Sequence, residues 1–334
     1  MFQSFEVTAR PEQGPPRLLA LREQIAAQGL DGFVIPRADA HQGEYVAARD
    51  ARLAWLSGFT GSAGFCVALR DVAGVFIDGR YRTQVKAQVA PEFTPVPWPE
   101  VSMAGWLREQ LPRGGRIGID PWLHTMDQIA RTQKELIGSQ IELVQCPNLV
   151  DAIWEDQPDP PMGAAKIHPL EFAGESHADK RLRLAKSLQD ANERAAVITL
   201  PDSICWLLNI RGADVERNPV VHGFAILHAD GAVDLFSEPS KFTDLGQHLG
   251  TDVRLHAPSD FLGALAELEG PVRIDSATAP QIVADTLGAA AVTGAEPCAL
   301  PKACKNSAEI EGAAAAHLRD GAAMVEMLCW MDQQ

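Results

Sequence analysis

Twice along this chain the same order of elements can be read: an amphipathic helix, an apolar strand, a short helix carrying Trp-Leu, and a strand pair. In the first pass Leu18, Leu21 and Ile25 recur on one face of a helix that starts after Pro15-Pro16. It stops at Gly29, since glycine accepts the positive φ needed just past a helix end. GFVIP at 32–36 predicts a strand, Trp55-Leu56 lies in a second helix, and apolar runs at 64–70 and 73–78 predict a hairpin. In the second pass Ser176 and Asp179 predict a helix cap, and Leu184 and Leu188 share the face that follows. A strand at 195–200 and a helix with Trp206-Leu207 come next. Strands at 224–229 and 232–236 flank Asp230-Gly231, a turn pair that tolerates positive φ. The likeness is one of pattern rather than identity, and it predicts two copies of one α/β unit.

The first copy continues with helices over 80–89, 103–111 and 124–137 and strands over 115–119 and 141–144. EDQPDPPMG at 155–163 is acidic, proline-rich and without apolar period, so it reads as a linker. The expected division is a first domain at 1–154, a linker at 155–163, a second domain at 164–300, and a distinct segment at 301–334. That last segment opens with a capping box, Asn306-x-x-Glu309. Ile310, Ala314, His317, Gly321, Met324 and Leu328 then recur every three or four residues, which predicts one long amphipathic helix. It either docks on the second domain or opens a further one.

Charge narrows the partners. The 44 acidic against 29 basic residues give −15, and no basic run is present, so nucleic acid is not an expected ligand. No stretch approaches the ~18 apolar residues that a membrane span needs. The first residues lack a basic start followed by an apolar core, so no signal peptide is expected. Six cysteines are scattered without a CxxC pair, which predicts reduced, mostly core thiols and a cytoplasmic protein.

Catalytic motifs are missing. There is no HExxH, no tetrahedral cysteine set and no G-x-S-x-G. SGFTGSAG at 57–64 lacks phosphate-loop spacing and runs into a strand, so it reads as a turn. His41 and Glu44 could share one helical turn, but two ligands are too few for a closed metal site. Asp39 and Asp50 flank residues that read as helical and solvated, not as a two-carboxylate site. Asp78-Gly79-Arg80-Tyr81 lies where a strand gives way to a helix. Either Asp78 caps that helix, or Arg80 and Tyr81 stand exposed to meet a carboxylate or a partner subunit.

Several stretches carry a family resemblance. IPRADAHQGEYV (35–46), RLAWLSGFTGSAG (52–64) and DGRYRTQ (78–84) resemble the first creatinase-type N-terminal domain of the long Xaa-Pro aminopeptidases, aminopeptidase P. NLVDAIW (148–154), HPLEFAGESHADKR (168–181) and PDSICWLLNIRGADVERNPV (201–220) resemble the second. PKACKNSAEIEGAAAAHLRDGAAMVEMLCW (301–330) resembles the entry into that family's pita-bread catalytic domain. Two such domains in tandem disfavour creatinase and prolidase, which carry one.

The resemblance implies a homodimeric enzyme that removes an N-terminal residue preceding proline. It implies two metal ions, usually manganese, held by two Asp, one His and two Glu that activate water for attack on the Xaa-Pro amide. Those ligands are expected beyond Gln334, so this chain is expected to bind no metal, to have no catalytic residue and to be inactive alone. Its expected role is dimerisation and restriction of substrate access, with Glu44, Asp78 and Arg80 as the candidate residues. The competing expectation is a creatinase-like module without catalysis that binds peptides or proteins.

Overall fold

The computed structural model describes residues 9–334, so the signal-peptide reading of the first residues falls largely outside them. Two compact units emerge. The first runs to Pro161 and also includes Ser276–Gly288; the second comprises Met162–Asp275 and Ala289–Gln334.

In chain order the first unit holds α1 (Gly14–Ala27), β1 (Gly32–Pro36), α2 (Arg52–Ser57), β2 (Phe65–Leu69), β3 (Ala73–Ile77), α3 (Gln84–Gln88) and β4 (Phe93–Pro97). It continues with α4 (Met103–Gln110), β5 (Gly115–Ile119), α5 (Met126–Leu136) and β6 (Ile141–Gln145). The strands form one mixed sheet in the order β4-β3-β2-β1-β5-β6. β2 alone is antiparallel to its neighbours, so the other five strands end on the same side. Alternation splits the apolar residues between two faces. Phe33 and Ile35 pack with Leu18, Leu21 and Ile25 of α1, whereas Val34 packs with Leu107 of α4 and Ile129 of α5. Leu21 and Ile25 are fully buried, and each such side chain contributes about 1.5–3 kcal/mol.

The second unit holds β7 (Lys166–Ile167), α6 (Leu170–Ala173), α7 (His177–Asp190), β8 (Ala195–Ile198), α8 (Pro201–Leu208), β9 (Ile210–Arg211), β10 (Phe224–His228) and β11 (Val233–Phe236). After α9 (Gly246–Leu249), β12 (Val253–His256), α10 (Phe261–Ala266) and β13 (Val272–Ile274), the chain forms α11 (Gln281–Leu287) within the first unit. It returns through β14 (Ala291–Thr293), α12 (Ala299–Ala303) and α13 (Ser307–Asp332). The second sheet runs β12-β11-β10-β8-β13-β14, the first topology repeated strand for strand. A small pair, β7 with β9, stands beside it.

Most expected elements form where the pattern places them. Ser176 Oγ caps α7 by accepting from Asp179 N at 3.1 Å, and Gly231 takes φ +90 in the hairpin turn. Asn306 and Glu309 close the capping box of α13. Corrections fall in three places. Residues 39–47 are loop rather than helix, followed by a single 3-10 turn at Ala48–Asp50. The helix expected at 80–89 is a 3-10 turn at Gly79–Tyr81 followed by the shorter α3. The sequence pattern assigns no elements between 237 and 300, where three strands and three helices form. Among the described residues no helix is long and apolar enough to cross a membrane. All six cysteines are free; Cys66, Cys205 and Cys298 are buried, while Cys304 and Cys329 are exposed.

Candidate functional site

In the first unit, three loops converge beyond the ends of β1 and β3. The register sets this: Pro36 of β1 pairs with Phe65, where β2 begins, and Phe65 pairs with Phe76 of β3. The loop entering β2 must therefore pass close to β3. Gly64 makes that passage, with φ +148 and space so tight that a Cβ would stand 2.6 Å from the Phe76 carbonyl oxygen. Its own carbonyl accepts from Arg37 N at 3.2 Å, which ties the exit of β1 to the entry of β2.

Arg37 directs its guanidinium to the Glu44 carbonyl oxygen. Half-buried, it is held below the usual arginine range by loss of water, with Tyr81, Glu44, Tyr45 and Asp39 opposing that shift. Asp39 shapes the same loop, its Oδ1 accepting from His41 N at 2.9 Å and Gly43 N at 3.2 Å. Such side-chain closure competes with helix, which is why 39–47 departs from the helical expectation. Tyr81 closes the other side: its hydroxyl accepts from Ser62 N at 3.1 Å and lies 2.8 Å from Ser62 Oγ.

Of the three residues singled out from sequence, Asp78 and Arg80 meet directly. Asp78 caps the 3-10 turn by accepting from Arg80 N at 2.9 Å, and the Arg80 fork reaches the same carboxylate at 2.7–3.1 Å. That fork lowers the pKa of Asp78, and Asp78 in turn raises that of Arg80. The cap is therefore present, on a 3-10 turn, and Arg80 is exposed, whereas Tyr81 is half-buried with its hydroxyl engaged by Ser62. Glu44 is exposed and touches neither residue, but its charge is felt by Arg37 and by Arg80. The result is a patch with two guanidinium groups at the strand ends, Arg80 paired with Asp78 and Arg37 with the Glu44 carbonyl oxygen.

Sequence reasoning missed Arg37, and it missed the cavity of about 570 Å³ that this residue overlooks. Phe65, Trp98 and His124 also line that space. Phe65 stacks on Phe76 at 4.3 Å and meets the edge of Trp98 at 6.2 Å. Burial lowers the His124 pKa to about 4, so the ring is neutral near pH 7, and its Nε2 has no partner.

The carboxylates weighed as metal ligands are engaged elsewhere. Arg52, only 6% exposed, donates to both Asp151 oxygens at 2.6 and 2.9 Å and to Asp50 Oδ1 at 2.9 Å. Asp50 therefore serves an ion-pair clamp on α2. His41 and Glu44 do not share a helical turn. Among the described residues no three His, Cys, Asp or Glu side chains converge to hold a metal ion. The donor set for a two-metal centre does not fit the residues present.

Comparison with known proteins agrees with the doubled sheet. A family model described as the creatinase/prolidase N-terminal domain matches residues 17–153, and a second of the same description matches 156–309. The chain belongs to the creatinase/prolidase N-terminal domain family and carries that domain twice. Its relatives include aminopeptidase P1 of Lotus japonicus, 34% identical across 95% of this chain and 56% of that protein. A probable Xaa-Pro aminopeptidase P of Coccidioides posadasii is 34% identical over 99% of this chain and 53% of its own length. The crystal structure of X-prolyl aminopeptidase from Caenorhabditis elegans, described as a cytosolic enzyme with a di-nuclear active site, superposes with a TM-score of 0.89. It is 29% identical, and the match covers 96% of this chain and 56% of that one. The chain spans about half the length of the curated relatives it matches.

Proposed function

We propose that this chain supplies the two N-terminal domains of an Xaa-Pro aminopeptidase, a hydrolase that removes the residue preceding proline at a peptide's N-terminus. The observation that carries this reading is the near-complete match of the chain to about half of each aminopeptidase P relative, with one fold throughout. In this reading residues 1–154 and 164–300 are the two domains, 155–163 joins them, and 301–334 leads into the part that holds the metal ions. The exposed apolar side chains of α13 support that last assignment. Leu318 is 77% exposed, Trp330 is 60% exposed, and no residue of the helix is buried. A helix with so much exposed apolar surface offers a face for further packing.

Hydrolysis is assigned to two divalent ions, manganese by the family resemblance, held outside the described residues, so this chain alone is inactive. Its own contribution is support of a cytoplasmic homodimer and of the approach to the cleft. The Glu44, Asp78 and Arg80 patch is the surface proposed for that role, because it presents guanidinium groups at strand ends where an acidic group can reach them. The alternative, a creatinase-like binding module without catalysis, has no observation in its favour over this reading.

The test is hydrolysis of an Xaa-Pro-Xaa tripeptide with added manganese, by this chain and by the protein its gene encodes in full. Activity in the longer protein only is expected. Activity in the 334-residue chain would overturn the division of labour, and activity in neither would favour the binding module.

A further inference from the structure

The second unit holds a cavity of about 590 Å³ between α8, β9 and the first turns of α13. Its apolar surface comes from Phe172, Trp206 and Val220, with Phe172 53% exposed. Four cations surround it: Arg211, Lys302, Lys305 and Arg319. Two carboxylates also face it, and each is already engaged. Asp202 takes the Lys302 ammonium, and Glu309 accepts from Asn306 N at 2.9 Å in the capping box of α13.

The two guanidinium groups are left over. Arg211 makes one hydrogen bond, to the neighbouring Ile210 carbonyl at 2.9 Å, and Arg319 makes none. Neither has a carboxylate partner among the described residues, in a chain whose net charge is −15. Arginine presents a planar fork suited to carboxylate or phosphate oxygens, and two such forks stand free around this one cavity.

Trp206 is only 8% exposed and forms one wall of the cavity, its indole Nε1 enclosed and without an acceptor among the described residues. Lys180 lies 4.3 Å from the centroid of the same ring and adds positive charge beside the cavity.

We propose that this cavity binds a small organic oxyanion, a carboxylate or phosphate carried on an apolar body. Arg211 and Arg319 take the oxyanion, while Trp206, Phe172 and Val220 hold the body. The site shares no residue with the strand-end patch of the first unit.

The experiment is isothermal titration calorimetry of the full chain at low ionic strength with four probes: N-acetylphenylalanine, its uncharged amide, phenyl phosphate and inorganic phosphate. One or both organic anions should bind, with the amide and inorganic phosphate weaker by about tenfold or more. Which organic anion binds identifies the head group. The double variant Arg211→Gln/Arg319→Gln should lose about tenfold or more in affinity with an unchanged unfolding temperature, since neither side chain holds the fold.

A proton readout locates the ligand. His168 lines the cavity, and its pKa is lowered by burial and by the charges of Arg211 and Lys180. An anion placed there should raise the His168 midpoint in an NMR titration. Equal binding of acid and amide, no effect of the double variant, an unmoved His168 midpoint, or no binding at all would each overturn the proposal.

Discussion

The two units share one topology and differ in where they keep their charges. Even a single glycine repeats. Gly64 stands before β2 and Gly223 before β10, and a Cβ at either would crowd the Phe76 or Phe236 carbonyl oxygen, at 2.6 and 2.8 Å. Beyond the strand ends the likeness stops. The first unit follows β1 with Arg37 and β3 with Asp78 and Arg80, so ionic groups face outward. At the corresponding places the second unit has Thr199 and Ser237, and Ser237 Oγ donates to the His222 carbonyl at 2.7 Å. Its charges turn inward instead, as the Lys241–Asp214 pair and the buried Lys180. At these strand ends, then, one scaffold is finished in two ways: with ionic groups in the first unit and with hydroxyl and buried ion-pair contacts in the second.

The largest effect is expected where that buried ion pair is removed. Asp214 accepts from Lys241 Nζ at 2.7 Å, Gly163 N at 3.0 Å and His222 N at 2.7 Å, and the two charged side chains are buried. Asp214→Ala would leave an ammonium and two backbone donors without their acceptor, a loss of about 3–5 kcal/mol. Asp151→Ala in the first unit should cost less. Its side chain is 31% exposed, and Arg52 would keep Asp50. Denaturant midpoints of the two variants measure the contrast, and equal losses would break it.

A smaller effect depends on pH. Lys180 is 1% exposed, donates to the Trp206 carbonyl at 3.0 Å and Asn209 Oδ1 at 2.8 Å, and has no carboxylate partner among the described residues. Burial lowers its pKa from 10.5 to about 8. Between those values the unfolded chain holds a proton that the folded chain has released, so this group makes stability rise with pH. The rise is about 1–3 kcal/mol, the lower part of the range allowing for the hydrogen bonds and the Trp206 ring that favour the charged form. Lys180→Met should remove that component, and the difference in stability between wild type and variant should change across the window. A difference that stays flat from about pH 7 to pH 11 would show that Lys180 does not carry it.

How far the sequence foretold this follows from what each element depends on. α1 and β1 rest on local period, and the pattern places them within about three residues. β4 escapes notice because Pro95 and Pro97 argue against a strand, yet as an edge strand it pairs on one side only. The loop at 39–47 has helical composition, but the Asp39 carboxylate closes it by bonds that period cannot reveal. Asp78 and Arg80 are legible because they are two residues apart. Arg37 is not, since its importance comes from loops that only the sheet brings together. The cavity of the second unit is harder still, drawing on residues from His168 to Arg319.

The smallest expected effect on stability is at Arg80, and its value lies in that smallness. Its guanidinium is exposed, lies 5.1 Å from the Tyr81 ring centroid and, among the described residues, hydrogen-bonds to Asp78 alone, whose carboxylate still caps the turn through the Arg80 backbone N–H. Arg80→Ala should therefore leave the unfolding temperature of this chain unchanged. In the longer enzyme the same change should reduce Xaa-Pro cleavage or shift the mass in solution from dimer towards monomer, if the outward charges of the first unit meet a partner. Arg80→Lys separates charge from shape, because lysine keeps the positive charge but lacks the planar fork. Recovery with lysine would mean that charge alone is read at this place, whereas failure to recover would mean that a carboxylate is gripped by both arms. Unchanged kinetics together with an unchanged mass for Arg80→Ala would remove Arg80 from the proposed surface and with it the argument that the first unit presents this charge for use.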